Sequence, residues 1–166
     1  MISSITRFRA SSRTFFLLLA VAAAGVALPG ARCAAVVDPP GEPGTASESE
    51  LRLRWVRWRG TGIRSYTYDL RRSCFCVPEY VTPARVTVRD GRVVAAQAIE
   101  SGEALRAEIF EPIDSLFAAA IAELDRGGYV EAAYHPRLSY PTRLVIGTLA
   151  NDAGTAFELS NVVELR

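Results

Sequence analysis

The stretch RVTVRDGRVVA at residues 85–95 places the strongest constraint on how this chain folds. Asp90-Gly91 lies between two valine-rich runs, and a two-residue Asp-Gly loop in that setting is the clearest short-range signal for a β-hairpin. The two strands of a hairpin are antiparallel neighbours. The sequence therefore predicts that the folded part of the chain contains an antiparallel sheet.

A helix is expected shortly before this hairpin, beginning at Ser47 and ending at Gly60. Ser47 is followed three residues later by Glu50, which is the pattern of a capping box at a helix start. Leu51, Trp55 and Trp58 then recur at intervals of four and three residues, so one face of the helix is apolar. After Gly60 the apolar period changes to two, and this alternation predicts a strand from Tyr66.

The second half of the chain repeats this order of elements. Glu111-Pro112 opens a second predicted helix, whose apolar stripe is Ile113, Leu116, Phe117, Ala120, Ile121 and Leu124. Residues 129–134, 142–149 and 156–165 have the composition of strands. We therefore expect an α+β domain in the order α-β-β-β-α-β-β-β, with an antiparallel sheet of about six strands and two helices packed on one face.

The first 35 residues have the layout of a secretory signal peptide. Arg7, Arg9 and Arg13 form a basic front, an apolar run of residues 15–28 follows, and small residues precede Val36. The run is shorter than the roughly 20 residues that cross a bilayer as a helix. We expect a signal peptide at 1–35, a proline- and glycine-rich linker at 36–46 and one α+β domain at 47–166, in a chain that is exported to the periplasm, the cell envelope or the medium.

Cys33 offers an alternative at the same place. Lipoprotein processing would make Cys33 the acylated first residue, although Arg32 just before it does not fit that pattern. The membrane is a predicted partner only if the N-terminus is retained or lipidated in this way.

Charge excludes one class of partner. All 19 basic residues are arginine, and removal of the first 35 residues takes away four of them, leaving fifteen against 18 acidic residues. A mildly acidic mature chain has no electrostatic footprint for nucleic acid. A protein or a small ligand remains the expected class of partner.

Motifs along the chain resemble the DUF6174 family, a family of exported bacterial proteins of unknown function. The resemblance is carried by the tryptophans ahead of the Tyr66-Thr67-Tyr68 strand, by Cys-Phe-Cys, by the Asp-Gly hairpin and by residues 113–117 and 134–142. It covers about residues 51–165. It implies a location in the envelope or outside the cell, often with a lipid anchor, and it implies no activity.

Cys74 and Cys76 are the first candidates for a functional site. They follow the Tyr66 strand, and export favours a local disulfide between them. The Cα atoms of residues two apart on a strand are roughly 6.5 Å apart, which is at the upper limit for a disulfide. A disulfide here therefore requires the backbone to leave extended geometry. The alternatives are reduced structural cysteines, or a redox or metal site that also uses His135, the only histidine. No catalytic motif, metal-ligand set or cofactor fingerprint is present, so none is predicted.

The tyrosines are the remaining candidates. Tyr66, Tyr68, Tyr134 and Tyr140 form a candidate binding face, with packing against the sheet as the alternative. The predicted function is an exported, non-catalytic α+β domain that binds a partner. A thiol or metal-dependent enzyme using Cys74, Cys76 and His135 is one alternative, and a structural lipoprotein anchored through Cys33 is the other.

Overall fold

The structure is a computed structural model that describes residues 44–148 and 153–166. The predicted signal peptide at 1–35, the first part of the predicted linker and Cys33 lie outside the described residues. No helix among the residues described is long and apolar enough to cross a membrane.

Two long helices and an antiparallel sheet make up the described part of the chain, which confirms the predicted α+β class. The helices are α1 (Glu48–Gly60), a short α2 (Pro78–Val81) and α3 (Ile113–Asp125), with a 3-10 turn at Ala107–Ile109. The strands are β1 (Gly44–Thr45), β2 (Tyr66–Ser73), β3 (Ala84–Arg89), β4 (Arg92–Ala98), β5 (Ala104–Leu105), β6 (Val130–Tyr134), β7 (Pro141–Ile146) and β8 (Thr155–Glu164).

Two meanders lie side by side in the sheet. Its strand order is β1-β6-β7-β8-β2-β3-β4-β5, so the pair β8–β2 joins the two meanders in the middle. The Asp-Gly hairpin is present as predicted, with Asp90 and Gly91 both at positive φ (48° and 77°), which is the combination that a type I′ turn requires. The sheet has eight strands rather than about six because β1 and β5, of two residues each, are too short to show a period.

Helices α1 and α3 cover one face of the sheet, which we call the inner face. Their apolar residues pack against alternate residues of the strands: Trp58 meets Tyr66 edge-on at 5.4 Å between ring centroids, and Phe117 stacks on Tyr134 at 6.4 Å. The apolar residues that recur every second position in the strands and about every 3.6 positions in the helices thus pack together in one core.

Polar groups hold the start of α3 in place on this core. The Tyr66 hydroxyl accepts the backbone N–H of Ile113 at 3.0 Å, and the Tyr68 hydroxyl donates to the carbonyl of Glu111. The Asp114 carboxylate accepts the indole N–H groups of Trp55 (2.8 Å) and Trp58 (3.2 Å). The first turn of α3 is therefore tied to β2 and to α1 through side chains.

The sheet begins earlier than the predicted domain start at Ser47. Gly44 and Thr45 pair with β6, and the N–H of Ala46 donates to the carbonyl of Val130 at 2.9 Å. The last three residues of the predicted linker therefore belong to the fold. Ser47 does cap α1, since its side chain accepts the N–H of Glu50 at 3.2 Å.

Candidate binding site at the disulfide end

One end of the sheet carries the disulfide, and we call it the disulfide end. It is the end at which β2 and β7 finish and β8 begins, because Ser73 pairs with Ala156 and Ile146 pairs with Thr155. The C-terminal turn of α3 reaches the same end, where Glu123 lies beside the cysteines in one cleft. Three segments that are distant in sequence therefore meet around residues 74–77.

Cys74 and Cys76 are joined in a disulfide. Strand β2 ends at Ser73, and the backbone bends at the next two residues, so the Cα atoms of the two cysteines come to 5.3 Å. That distance lies within the normal range for a disulfide, whereas continued strand geometry would have left them at its upper limit. The bend is the contraction that the sequence required, and it leads directly into Pro78 at the start of α2.

The ring closed by this disulfide displays an aromatic side chain to solvent. Phe75 is 87% exposed, the highest value among the large hydrophobic residues that the structure describes, and Val77 is 60% exposed. Phe75 cannot withdraw far, because the residues on both sides of it are linked to each other. An exposed aromatic side chain on a covalently constrained backbone, next to a second exposed apolar residue, is a candidate contact surface.

A shallow cleft of about 320 Å³ adjoins the ring. Its lining includes Cys74, Phe75 and Cys76 from the ring, and Glu123, Ile146 and Thr155 from other segments. The Glu123 carboxylate is held by Arg126 at 2.6 Å. The disulfide end therefore combines an apolar projection with a polar recess that contains one carboxylate, which suits a partner that presents both an apolar pocket and a hydrogen-bond donor.

The family model of DUF6174, a family of unknown function, matches residues 50–164. The chain belongs to the DUF6174 family. The match confirms the resemblance inferred from the motifs and covers α1 to β8. No curated protein and no solved structure matches the chain.

The prediction of a tyrosine binding face in this DUF6174 chain is wrong. Tyr66, Tyr68, Tyr134 and Tyr140 are all buried, because each lies on the inner face or on the loop that closes it, beneath α1 and α3. Burial raises the pKa of the Tyr66, Tyr68 and Tyr134 hydroxyls well above the usual range. The four tyrosines therefore belong to the core, and the alternative of sheet packing describes them.

His135 lies at the opposite end of the sheet from the cysteines. It follows β6, stacks on Tyr140 at 4.9 Å between ring centroids, and its Nδ1 accepts the N–H of Leu138 at 3.1 Å. Burial, with a smaller contribution from Arg137, lowers the pKa of His135. His135 follows the end of β6, whereas Cys74 and Cys76 lie beside the start of β6 and the end of β7, and the five residues of β6 alone span roughly 16 Å. The structure thus does not assemble these three residues into one thiol or metal site.

Two further features bear on the site. Within residues 44–148 and 153–166, no three His, Cys, Asp or Glu side chains come together as metal ligands. Cys33, the candidate lipidation site, lies outside the described residues.

A polar cluster on the uncovered face of the sheet was not predicted from the sequence. Asp69 is only 8% exposed. Arg85 donates to both of its carboxylate oxygens (2.7 and 3.0 Å), and the Asn161 amide donates to one of them at 2.8 Å. Asn161 reaches Asp69 because it sits at φ 53° in an irregularity of the β2–β8 pairing, which also explains why it breaks the apolar alternation of β8.

The Asp69 cluster predicts a specific pH dependence. Hydrogen bonds from Arg85, and a smaller one from Asn161, lower the pKa of the Asp69 carboxyl. The stability that it contributes is therefore present above the unfolded pKa of about 4 and is lost as the pH falls through the folded value. Urea denaturation of wild type and Asp69→Asn should differ most near neutral pH, and the difference should shrink below about pH 4. A difference that stays constant across this range would contradict the assignment.

The disulfide itself should contribute little to stability. It closes a loop of only three residues, so it removes little conformational entropy from the unfolded chain. We expect the double change Cys74→Ser and Cys76→Ser to lower the free energy of unfolding by about 1.5 kcal/mol or less, measured by urea denaturation. A loss of about 3 kcal/mol or more, the value for a loop of about 15 residues, would show that the ring also supports the core.

Proposed function

We propose that this DUF6174 domain is an exported, non-catalytic binding module that engages a protein partner through the disulfide end. The observation that carries the proposal is the 87% exposure of Phe75 within a covalently closed ring. An aromatic anchor of this kind buries a large area on binding, and a fixed conformation lowers the entropy lost when it docks. Because the ring adds little to folding, presenting Phe75 is the role that best accounts for it.

The cleft beside the ring supports the same proposal. It places the Glu123 carboxylate next to the apolar projection, so a partner would meet one aromatic contact and one charged acceptor within the same small area. Interfaces commonly combine an apolar centre with a polar rim in this way.

Photo-cross-linking tests the proposed surface. A benzophenone amino acid is placed at position 75 in producing cells, and the matched control carries it at Val163, which is 57% exposed but lies near the far end of β8. A distinct adduct with one protein should form from position 75 and not from position 163. Loss of that adduct when Cys74 and Cys76 are changed to serine would show that the closed ring presents the contact.

Other outcomes would contradict the proposal. Adducts of equal yield from both positions would mean that contact is unspecific, and no adduct from position 75 would remove the support for a protein partner. The enzyme alternative has its own test, because titration of native protein should find no reactive thiol at Cys74 or Cys76. Two reactive thiols would favour redox chemistry instead.

Export is the part of the proposal that rests on residues 1–35, and the disulfide is consistent with an oxidising compartment. Mass spectrometry of the mature protein should find an N-terminus at Val36. A lipid-modified Cys33 at the N-terminus would instead favour the anchored lipoprotein, and an intact Met1 terminus would contradict cleavage.

A further inference from the structure

Five exposed arginines gather at the end of the sheet opposite the disulfide, and we call this the arginine end. They come from four separate segments: the last turn of α1, the loop before β2, both sides of the β3–β4 turn and the β6–β7 loop. They are Arg59, Arg64, Arg89, Arg92 and Arg137. Each segment contributes only one or two of these arginines, so the surface cannot be recognised in the sequence as a run of basic residues.

Backbone and ring contacts connect these segments along one end of the sheet. The N–H of Gly91 donates to the carbonyl of Arg64 at 2.9 Å, and the Arg64 guanidinium lies 3.9 Å from where a Cβ on Gly91 would be. Arg89 and Arg92 flank the same turn as paired residues. The loop with Arg137 is held to the end of α1 by the Trp58–Tyr140 contact at 6.1 Å.

The arginines at the arginine end have no ion-pair partner among the residues that the structure describes. Seven arginines elsewhere form ion pairs, for example Arg85 with Asp69 and Arg126 with Glu123, whereas none of these five does so with any residue that the structure describes. These five side chains are all exposed, so their guanidinium groups are available to an anionic partner.

We propose that the arginine end binds the phosphate groups of anionic phospholipid headgroups at a membrane surface. A guanidinium can donate two parallel hydrogen bonds to one phosphate, which a compact ammonium cannot do. Five guanidinium groups spread over one end of the domain match an extended anionic surface better than a single small anion. This inference is independent of the proposed contact at Phe75.

Vesicle co-sedimentation of the full chain tests the inference. Partitioning onto vesicles with about a third phosphatidylglycerol is divided by partitioning onto neutral phosphatidylcholine vesicles, so that binding through the apolar run cancels. The test variant is Arg64→Gln, Arg89→Gln, Arg92→Gln, and the matched control is Arg71→Gln, Arg106→Gln, Arg126→Gln, which removes the same charge from other exposed positions.

The test variant should lower that ratio by roughly a hundredfold at low salt, since each arginine near such a surface contributes about 1 kcal/mol. The control should change the ratio less than about threefold, and both should melt within a few degrees of wild type because the changed residues are exposed. Equal losses in the two variants would overturn the proposal in favour of net charge. A wild-type ratio near one, or displacement by inorganic phosphate at an ionic strength where sodium chloride has no effect, would also overturn it.

Discussion

Replacing Asp114 by alanine is expected to lower the free energy of unfolding by about 3 kcal/mol. One carboxylate accepts the indole N–H groups of both Trp55 and Trp58, and hydrogen bonds to a charged group contribute about 1.5 to 3 kcal/mol each. Trp58 is fully buried, so without Asp114 its indole N–H could not form a hydrogen bond to water. Trp55 is only partly buried, so water could reach its indole N–H. Most of the loss should therefore come from the orphaned Trp58 donor.

Urea denaturation followed by far-UV circular dichroism measures this effect, and Asp125→Ala is the matched control. Asp125 is exposed and lies at the C-terminal end of the same helix, where a negative charge opposes the helix dipole, so its removal should be neutral or slightly stabilising. Asp114→Asn keeps one oxygen acceptor and should lie between the two alanine variants. If Asp114→Ala unfolds like the control, the carboxylate does not hold α1 and α3 together.

Replacing Arg72 by alanine is expected to cost a similar amount, about 3 kcal/mol, for a different reason. The Arg72 side chain is 5% exposed, and its Nη2 donates to the Ile109 carbonyl (2.8 Å) and to the Glu111 carboxylate (2.7 Å). Its guanidinium lies over the rings of Tyr80, Phe110 and Phe157 at 5.4 to 5.8 Å from the centroids. Alanine would remove those contacts and leave a cavity between the rings.

Arg72→Met separates the two sources of that cost. The Nε of Arg72 finds no hydrogen-bond partner among the described residues, so part of the desolvation cost of the charge is not returned. Methionine fills the space without a charge and should stay within about 1 kcal/mol of wild type. Arg71→Ala, on the exposed side of the same strand, should change stability by less than about 0.5 kcal/mol. A methionine variant as unstable as the alanine variant would show that the charge itself is required.

Local patterns in the sequence predicted the elements of this fold well. The capping serine of α1, the apolar stripe of α3 and the Asp-Gly turn act over a few residues, so their effects can be inferred without knowing the rest of the chain. Strands β1 and β5 were missed because two residues carry no period. The boundary at Ser47 was placed three residues late for the same reason, since Gly44 and Thr45 become a strand only by pairing with β6.

The candidate site depended on information that is not local. The alternation of Tyr66 and Tyr68 shows that they share a face, but only the position of α1 and α3 decides that this face is buried. Cys74 and Cys76 were recognised because the two residues that form the bond are almost adjacent. The exposure of Phe75, the pairing of Asp69 with Asn161 and the gathering of arginines each required contacts across the sheet, as between residues 69 and 161.

The junction between the two meanders has a consequence for when this chain can fold. Strands β2 and β8 pair in the middle of the sheet, with Tyr66 opposite Glu164. One edge of β2 therefore stays unpaired until β8 is present. Pairing between residues so far apart in sequence is slow, and it cannot occur before β8 has been synthesised. The sheet of the nascent domain therefore stays in two unjoined halves until the residues of β8 have emerged. Until then, the unpaired edge of β2 could pair with another chain.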